Sequence, residues 1–132
     1  MSEGRSRVAV MLCPSAVTAY VQGLMGAVEV IGEVVDDSAV CFGLADVALA
    51  EVAARAEEPD ERALLYGLAE ITACRLLGSA GDDPRELEWL LRLTGAPGRA
   101  VTAQLAMRHG CHVLTATPAV YGDFGLPVIP ID

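Results

Sequence analysis

Val8-Ala9-Val10-Met11-Leu12, followed by Cys13-Pro14-Ser15, is the stretch whose reading decides the fold. A short unbroken apolar run closed by a turn signal is the pattern of a central strand, buried on both faces of a parallel sheet. Pro14 fits the first turn of a following helix, where its missing N–H costs nothing. Val17, Tyr20, Val21, Leu24, Val28 and Ile31 then recur three or four residues apart, which predicts one helix after the strand. Gly23 and Gly26 weaken that helix by about 1 kcal/mol each relative to Ala, and the polar stretch 32–38 ends it.

The strand–helix alternation continues on the C-terminal side. Ala39-Val40-Cys41-Phe42 reads as a second strand ended by Gly43, and Leu44 to Ala56 as an Ala-rich helix. Asp60 is expected to cap a helix starting at Glu61, whose Leu64, Leu65, Leu68, Ile71 and Leu76 keep a helical period. Residues 69–76 fit a strand equally well, because Ile71-Thr72-Ala73-Cys74 is also a short apolar run. After the loop 78–84, Asp83 and Pro84 are N-cap and first residue of a helix with Leu87, Leu90 and Leu91 on its apolar stripe, and Gly95 stops it. Pro97 opens another helix to about Arg108. His112-Val113-Leu114-Thr115 and Val128-Ile129-Pro130-Ile131 are the last strands, the final one placed at a sheet edge by Pro130. The expected fold is α/β: a three-layer sandwich with a mostly parallel sheet of four to five strands flanked by helices. Sites in such sheets form beyond the carboxyl ends of the strands. That directs attention to 13–15, 43–46 and 115–118.

Composition narrows the function classes. The chain has 132 residues, 53% hydrophobic and 20% charged, which excludes a disordered protein and suits a single domain over 1–132. Nine basic residues, all Arg, stand against 18 acidic ones. A net charge of −9 argues against nucleic acid as a partner. The four cysteines, Cys13, Cys41, Cys74 and Cys111, have no CxxC spacing and sit in apolar runs, as reduced core thiols do. The uncharged segment 8–28 is interrupted by Pro14-Ser15 and diluted by Thr18, Tyr20 and Gln22, so neither a signal peptide nor a membrane span is expected. A soluble, cytoplasmic protein is the expectation.

The segment His109-Gly110-Cys111-His112-Val113-Leu114-Thr115-Ala116-Thr117-Pro118-Ala119-Val120-Tyr121, with Gly122 and the closing edge strand, resembles the end of a PIN-domain protein. Val40 to Glu51 resembles that family's second strand and acid-bearing helix. The resemblance implies a small metal-dependent nuclease, often the toxin of a toxin–antitoxin pair, whose carboxylates converge on Mg²⁺ or Mn²⁺ to activate water. Position by position, most of those acids are replaced. Cys13 stands where the family has an Asp after the first strand, Gly98-Arg99 where an Asp opens the penultimate helix, and Thr117 where an Asp follows the Leu-Thr strand end. Glu51 remains. At about 100° per residue, Glu51 lies about 60° from the centre of its helix's apolar arc and Asp46 about 160° away, toward solvent.

The expected pocket is therefore a remnant gathering Cys13, Ser15, Asp46, Glu51, Arg99, Thr115 and Thr117, with no catalytic residue, no metal and no cofactor. The expected function is binding by a degenerate PIN-like domain, as a homodimer or with a cognate protein partner and without a membrane. The alternative is a divergent Mg²⁺- or Mn²⁺-dependent endoribonuclease using Glu51, Asp46, Asp36 or Asp37. Three other chemistries each lack a component. A Cys13 nucleophile at a helix N-terminus lacks a nearby base. His109, Cys111 and His112 lack a fourth zinc ligand. Ser15 and Thr18 lack a Gly-rich phosphate loop. Trp89 and Tyr20 are expected in the core or an interface.

Overall fold

The computed structural model describes residues 7–79, 83–122 and 125–131. Its first unit is strand β1 (Arg7–Leu12) leading through Cys13 into helix α1 (Pro14–Val21), as the opening apolar run requires. Val10, Met11 and Leu12 are all buried although neighbouring side chains point to opposite faces, so helices cover both sides of β1. The long helix expected next is instead two. The chain breaks at Gly23, whose φ of +74° is left-handed, and resumes as α2 (Met25–Asp36). Apolar spacing runs on across the break, which is why periodicity alone missed it.

Strand β2 (Val40–Ala45) is longer than expected, passing through Gly43 rather than ending there. Gly43 is not a terminator. A Cβ at this position would overlap the Met11 sulfur, with Val8 and Leu77 side chains also close. Helix α3 (Asp46–Arg55) follows directly. Helix α4 (Pro59–Glu70) starts earlier than expected, with Pro59 in its first turn and Glu58 rather than Asp60 as N-cap residue. The ambiguous stretch resolves into both states: α4 ends at Glu70 and strand β3 occupies Cys74–Leu77.

Helix α5 (Pro84–Thr94) is punctuated as expected. Asp83 accepts a hydrogen bond from the Glu86 amide at 3.1 Å, and Gly95 ends the helix at φ +80°. The Glu86 carboxylate then ties α5 to helix α6 (Pro97–His109), accepting from Gln104 Nε2 and Arg108 Nη2 at 3.3 Å each. In α6 every residue from Ala100 to Ala106 is buried, because the helix packs on β1, β2, α3 and α5 as well as on strand β4 (His112–Thr115). Its small side chains, Gly98, Ala100, Ala103 and Ala106, permit this. A short α7 (Ala119–Gly122) leads to strand β5 (Val128–Pro130).

The sheet has five strands in the order β3-β2-β1-β4-β5, every pairing parallel. Pro130 lies in the edge strand, as its missing donor demands. Leu12 aligns with Leu114, Ala45 with Leu77, and Thr115 with Pro130, so the carboxyl ends of all five strands share one edge. His112 aligns with Val10, and both histidines are exposed toward the opposite end. The cysteines are free thiols, three buried and Cys74 half-buried. Trp89 is not a core residue, being 46% exposed. Among the described residues no helix is long and apolar enough to cross a membrane.

Because the Met11 sulfur fills the space over Gly43, Gly43→Ala is expected to cost about 1–3 kcal/mol of stability in urea unfolding. Gly67→Ala in α4, which meets nothing within 4 Å, is expected to gain about 0.5–1 kcal/mol in the same experiment.

Candidate functional site

The carboxyl edge of the sheet is closed by a network of uncharged polar groups. Cys13 follows β1 and donates its amide to the Leu114 carbonyl at 3.0 Å, which seats its side chain between β1 and β4. The Cys13 sulfur is fully buried and accepts hydrogen bonds from the Tyr121 hydroxyl at 2.9 Å and the Ser15 hydroxyl at 3.4 Å. Ser15 Oγ in turn lies 3.2 Å from Thr115 Oγ1 and accepts from the Ala116 amide at 2.9 Å. Thr115 Oγ1 accepts from the Thr117 amide at 2.9 Å and lies 3.2 Å from the Thr117 hydroxyl. Four expected site residues, Cys13, Ser15, Thr115 and Thr117, are thereby brought together. Tyr121 joins them, unforeseen beyond its place as the aromatic of the C-terminal pattern. Burial, then the neighbouring Cys13, raises the Tyr121 hydroxyl pKa well above its ordinary value. Nearby Glu51 adds to the rise and Arg99 opposes it.

Glu51 is the retained acid, and its carboxylate is already engaged. The Gly98 amide donates to Oε1 at 2.9 Å and to Oε2 at 3.1 Å. Gly98 is the second residue of α6, whose N-cap residue Ala96 has no side chain to offer. Glu51 thus supplies from α3 the anionic cap that α6 lacks, where exposed amides and the helix dipole favour negative charge. The arrangement requires glycine. A Cβ on Gly98 would stand 2.6 Å from Glu51 Oε2. The glycine at the position where the resemblance expects an acid is what admits the carboxylate of the other.

Arg99, next along α6, donates Nη1 to the Thr94 carbonyl at 3.1 Å. Asp46 stands apart from this group. It opens α3 on the exposed side, its carboxylate beside Gly78 at the end of β3. Asp36 and Asp37 lie at the far end of the sheet, where Asp37 Oδ1 accepts from the Ala39 amide ahead of β2. Among the described residues no group of three or more His, Cys, Asp or Glu side chains is placed to hold a metal ion.

Beside the network opens a cavity of about 720 Å³. One face of α1 contributes Ser15, Thr18, Val21 and Gln22, and α3 contributes Glu51, Val52 and Arg55. Asp60, Glu61, Leu64 and Leu65 of α4 form the outer wall, and Gly95, Ala96 and Arg99 complete it. Arg55 and the α4 wall were not anticipated. Their convergence depends on α4 folding back against α1, which no local pattern signals.

No family model matches the chain, and no curated protein is significantly similar. Solved structures are. A chain of VapBC2 from Rickettsia felis, bound to a DNA fragment from their promoter, superposes with a TM-score of 0.73. The match covers 95% of this chain and 100% of that one at 10% identity. The fold is PIN-like. The carboxyl edge of this PIN-like sheet is where the hydroxyl network and the Glu51–Gly98 contact lie.

Glu51→Ala, which strips the Gly98 amide of its partner, and Gly98→Ala, which evicts the carboxylate, are each expected to cost about 1–3 kcal/mol in urea unfolding. Stability is also expected to fall in alkali. Burial pushes the Cys111 thiol up to about 11 and Cys74 to about 12, from an ordinary value of 9.0. Below pH 9 both states hold these protons. Above it the unfolded chain loses protons that the folded chain keeps, so the urea midpoint should drop between about pH 9 and 11 and be flat between 7 and 9.

Proposed function

We propose that this PIN-like domain works by binding, with a cognate protein as partner, and that metal-dependent RNA hydrolysis has been lost. The observation carrying this reading is the seating of the Glu51 carboxylate on the α6 N-terminus, where the single Gly98 N–H is shared between its two oxygens. A hard divalent ion wants several oxygen ligands that also neutralise its charge. Among the described residues, the groups around this network are the Glu51 carboxylate, neutral hydroxyls, a buried thiol and the Arg99 guanidinium, with Asp46 standing apart at the end of β3, a set that does not fit Mg²⁺ or Mn²⁺. No step through such an ion is derived.

Two observations support a protein partner. The similar Rickettsia felis structure is an assembly, VapBC2 on promoter DNA. Exposed apolar side chains also cluster at the start of α2, Leu24, Met25 and Val28 being 43%, 66% and 37% exposed. A net charge of −9 makes a protein a better match than a phosphate backbone.

A fluorogenic RNA assay with 10 mM-range Mg²⁺ or Mn²⁺, about the level that saturates weak oxygen-ligand sites, is expected to show no cleavage above buffer. Manganese titration followed by electron paramagnetic resonance is expected to show no bound ion. RNA cutting that disappears in Glu51→Gln would overturn the reading in favour of a divergent nuclease. Co-purification of the tagged chain with the product of an adjacent gene, at fixed stoichiometry, is the expected outcome for the partner. Elution alone as a monomer or as a dimer of this chain counts against it.

A further inference from the structure

Resting on that binding role, we infer that the cavity beside Glu51 holds a small monoanionic amphiphile: one carboxylate on an apolar chain. Its volume, about 720 Å³, is that of a small-molecule site. Ser15, Glu51 and Arg99 mark the end at the sheet edge, since Ser15 touches Cys13, and both Glu51 and Arg99 act on the buried Tyr121. Val21 at the end of α1, with Ala56, Leu64 and Leu65, adds apolar surface to the lining.

The sign of the ligand follows from which charges are already satisfied. Glu51 takes the shared Gly98 N–H at the α6 N-terminus, where the helix dipole offsets part of its negative charge. Arg99 is half-buried and braced by a single bond to the Thr94 carbonyl, which orients a guanidinium with further donors to give. Arg55 lies one helical turn from Glu51 on α3, and among the described residues neither arginine forms an ion pair. Two guanidiniums therefore face the cavity with donor capacity unspent, a fork suited to a carboxylate. With Glu51, Asp60 and Glu61 also lining the cavity, one negative charge seated on the guanidiniums is the most the site accommodates, which disfavours nucleotides and other polyanions. The apolar part of the lining, where Leu64 is 52% exposed, gains by covering.

Isothermal titration calorimetry on the full chain, with sodium octanoate, octanol, octylamine and AMP as probes in low salt, tests this. Octanoate is expected to bind, octanol about tenfold more weakly, and octylamine and AMP not measurably. Arg99→Gln is expected to weaken octanoate about tenfold or more while leaving octanol unchanged. Arg55→Gln and Leu64→Glu, both exposed positions that spare the core, should each weaken it several-fold. Equal binding of octanoate and octanol, preference for octylamine or AMP, no octanoate heat at all, or indifference of octanoate to both arginine changes overturns the assignment. Those failures leave the binding role standing. Metal-dependent RNA cutting lost in Glu51→Gln would instead remove the reading on which it rests.

Discussion

The contact between the Glu51 carboxylate and the Gly98 amide organises the carboxyl edge of this sheet. It joins α3 to the start of α6, the helix buried against three strands of the sheet. Elsewhere an uncapped helix start is solvated or closed by its own N-cap side chain, but Ala96 has none and Pro97 already lacks a donor. A carboxylate from another element therefore completes α6. A side chain at Gly98 would displace the Glu51 carboxylate from its present seat, so glycine and glutamate at these two positions are a matched pair.

Around that pair the edge is assembled from neutral donors and acceptors. Tyr121 reaches from α7 to the sulfur of Cys13, and Ser15 links Cys13 to the Thr115–Thr117 step. Each hydroxyl bonds a backbone amide, another hydroxyl or the Cys13 sulfur. Among the described residues no buried side-chain nitrogen or oxygen lacks a partner. Beside this neutral network the cavity wall is charged, Arg99 and Arg55 standing with the carboxylates of Glu51, Asp60 and Glu61.

Much of the fold was legible because its punctuation is local chemistry. Asp83, Pro84 and Gly95 bound α5 by capping and left-handed geometry that any helix obeys, and the apolar run at β1 could bury itself only between two layers of helices. What was misread depended on contacts across the fold. Gly43 looks like a strand terminator until the Met11 sulfur is seen lying over it. Apolar spacing from Val17 to Ile31 runs straight through the break at Gly23. In the site, helical geometry placed Glu51 inward and Asp46 outward, as found. The partner of Glu51 was invisible because it is a backbone amide, and no residue type announces one.

The hydroxyl network has a consequence for folding itself. Several carboxylates crowded at one strand edge repel one another, so such an edge is frustrated until a cation arrives, and its folding becomes linked to ion supply. Ser15, Thr115, Thr117 and the phenol of Tyr121 carry no charge across the physiological range, and Tyr121 is held neutral by burial. Closing this network therefore leaves no charge repulsion among its own members for a cation to relieve.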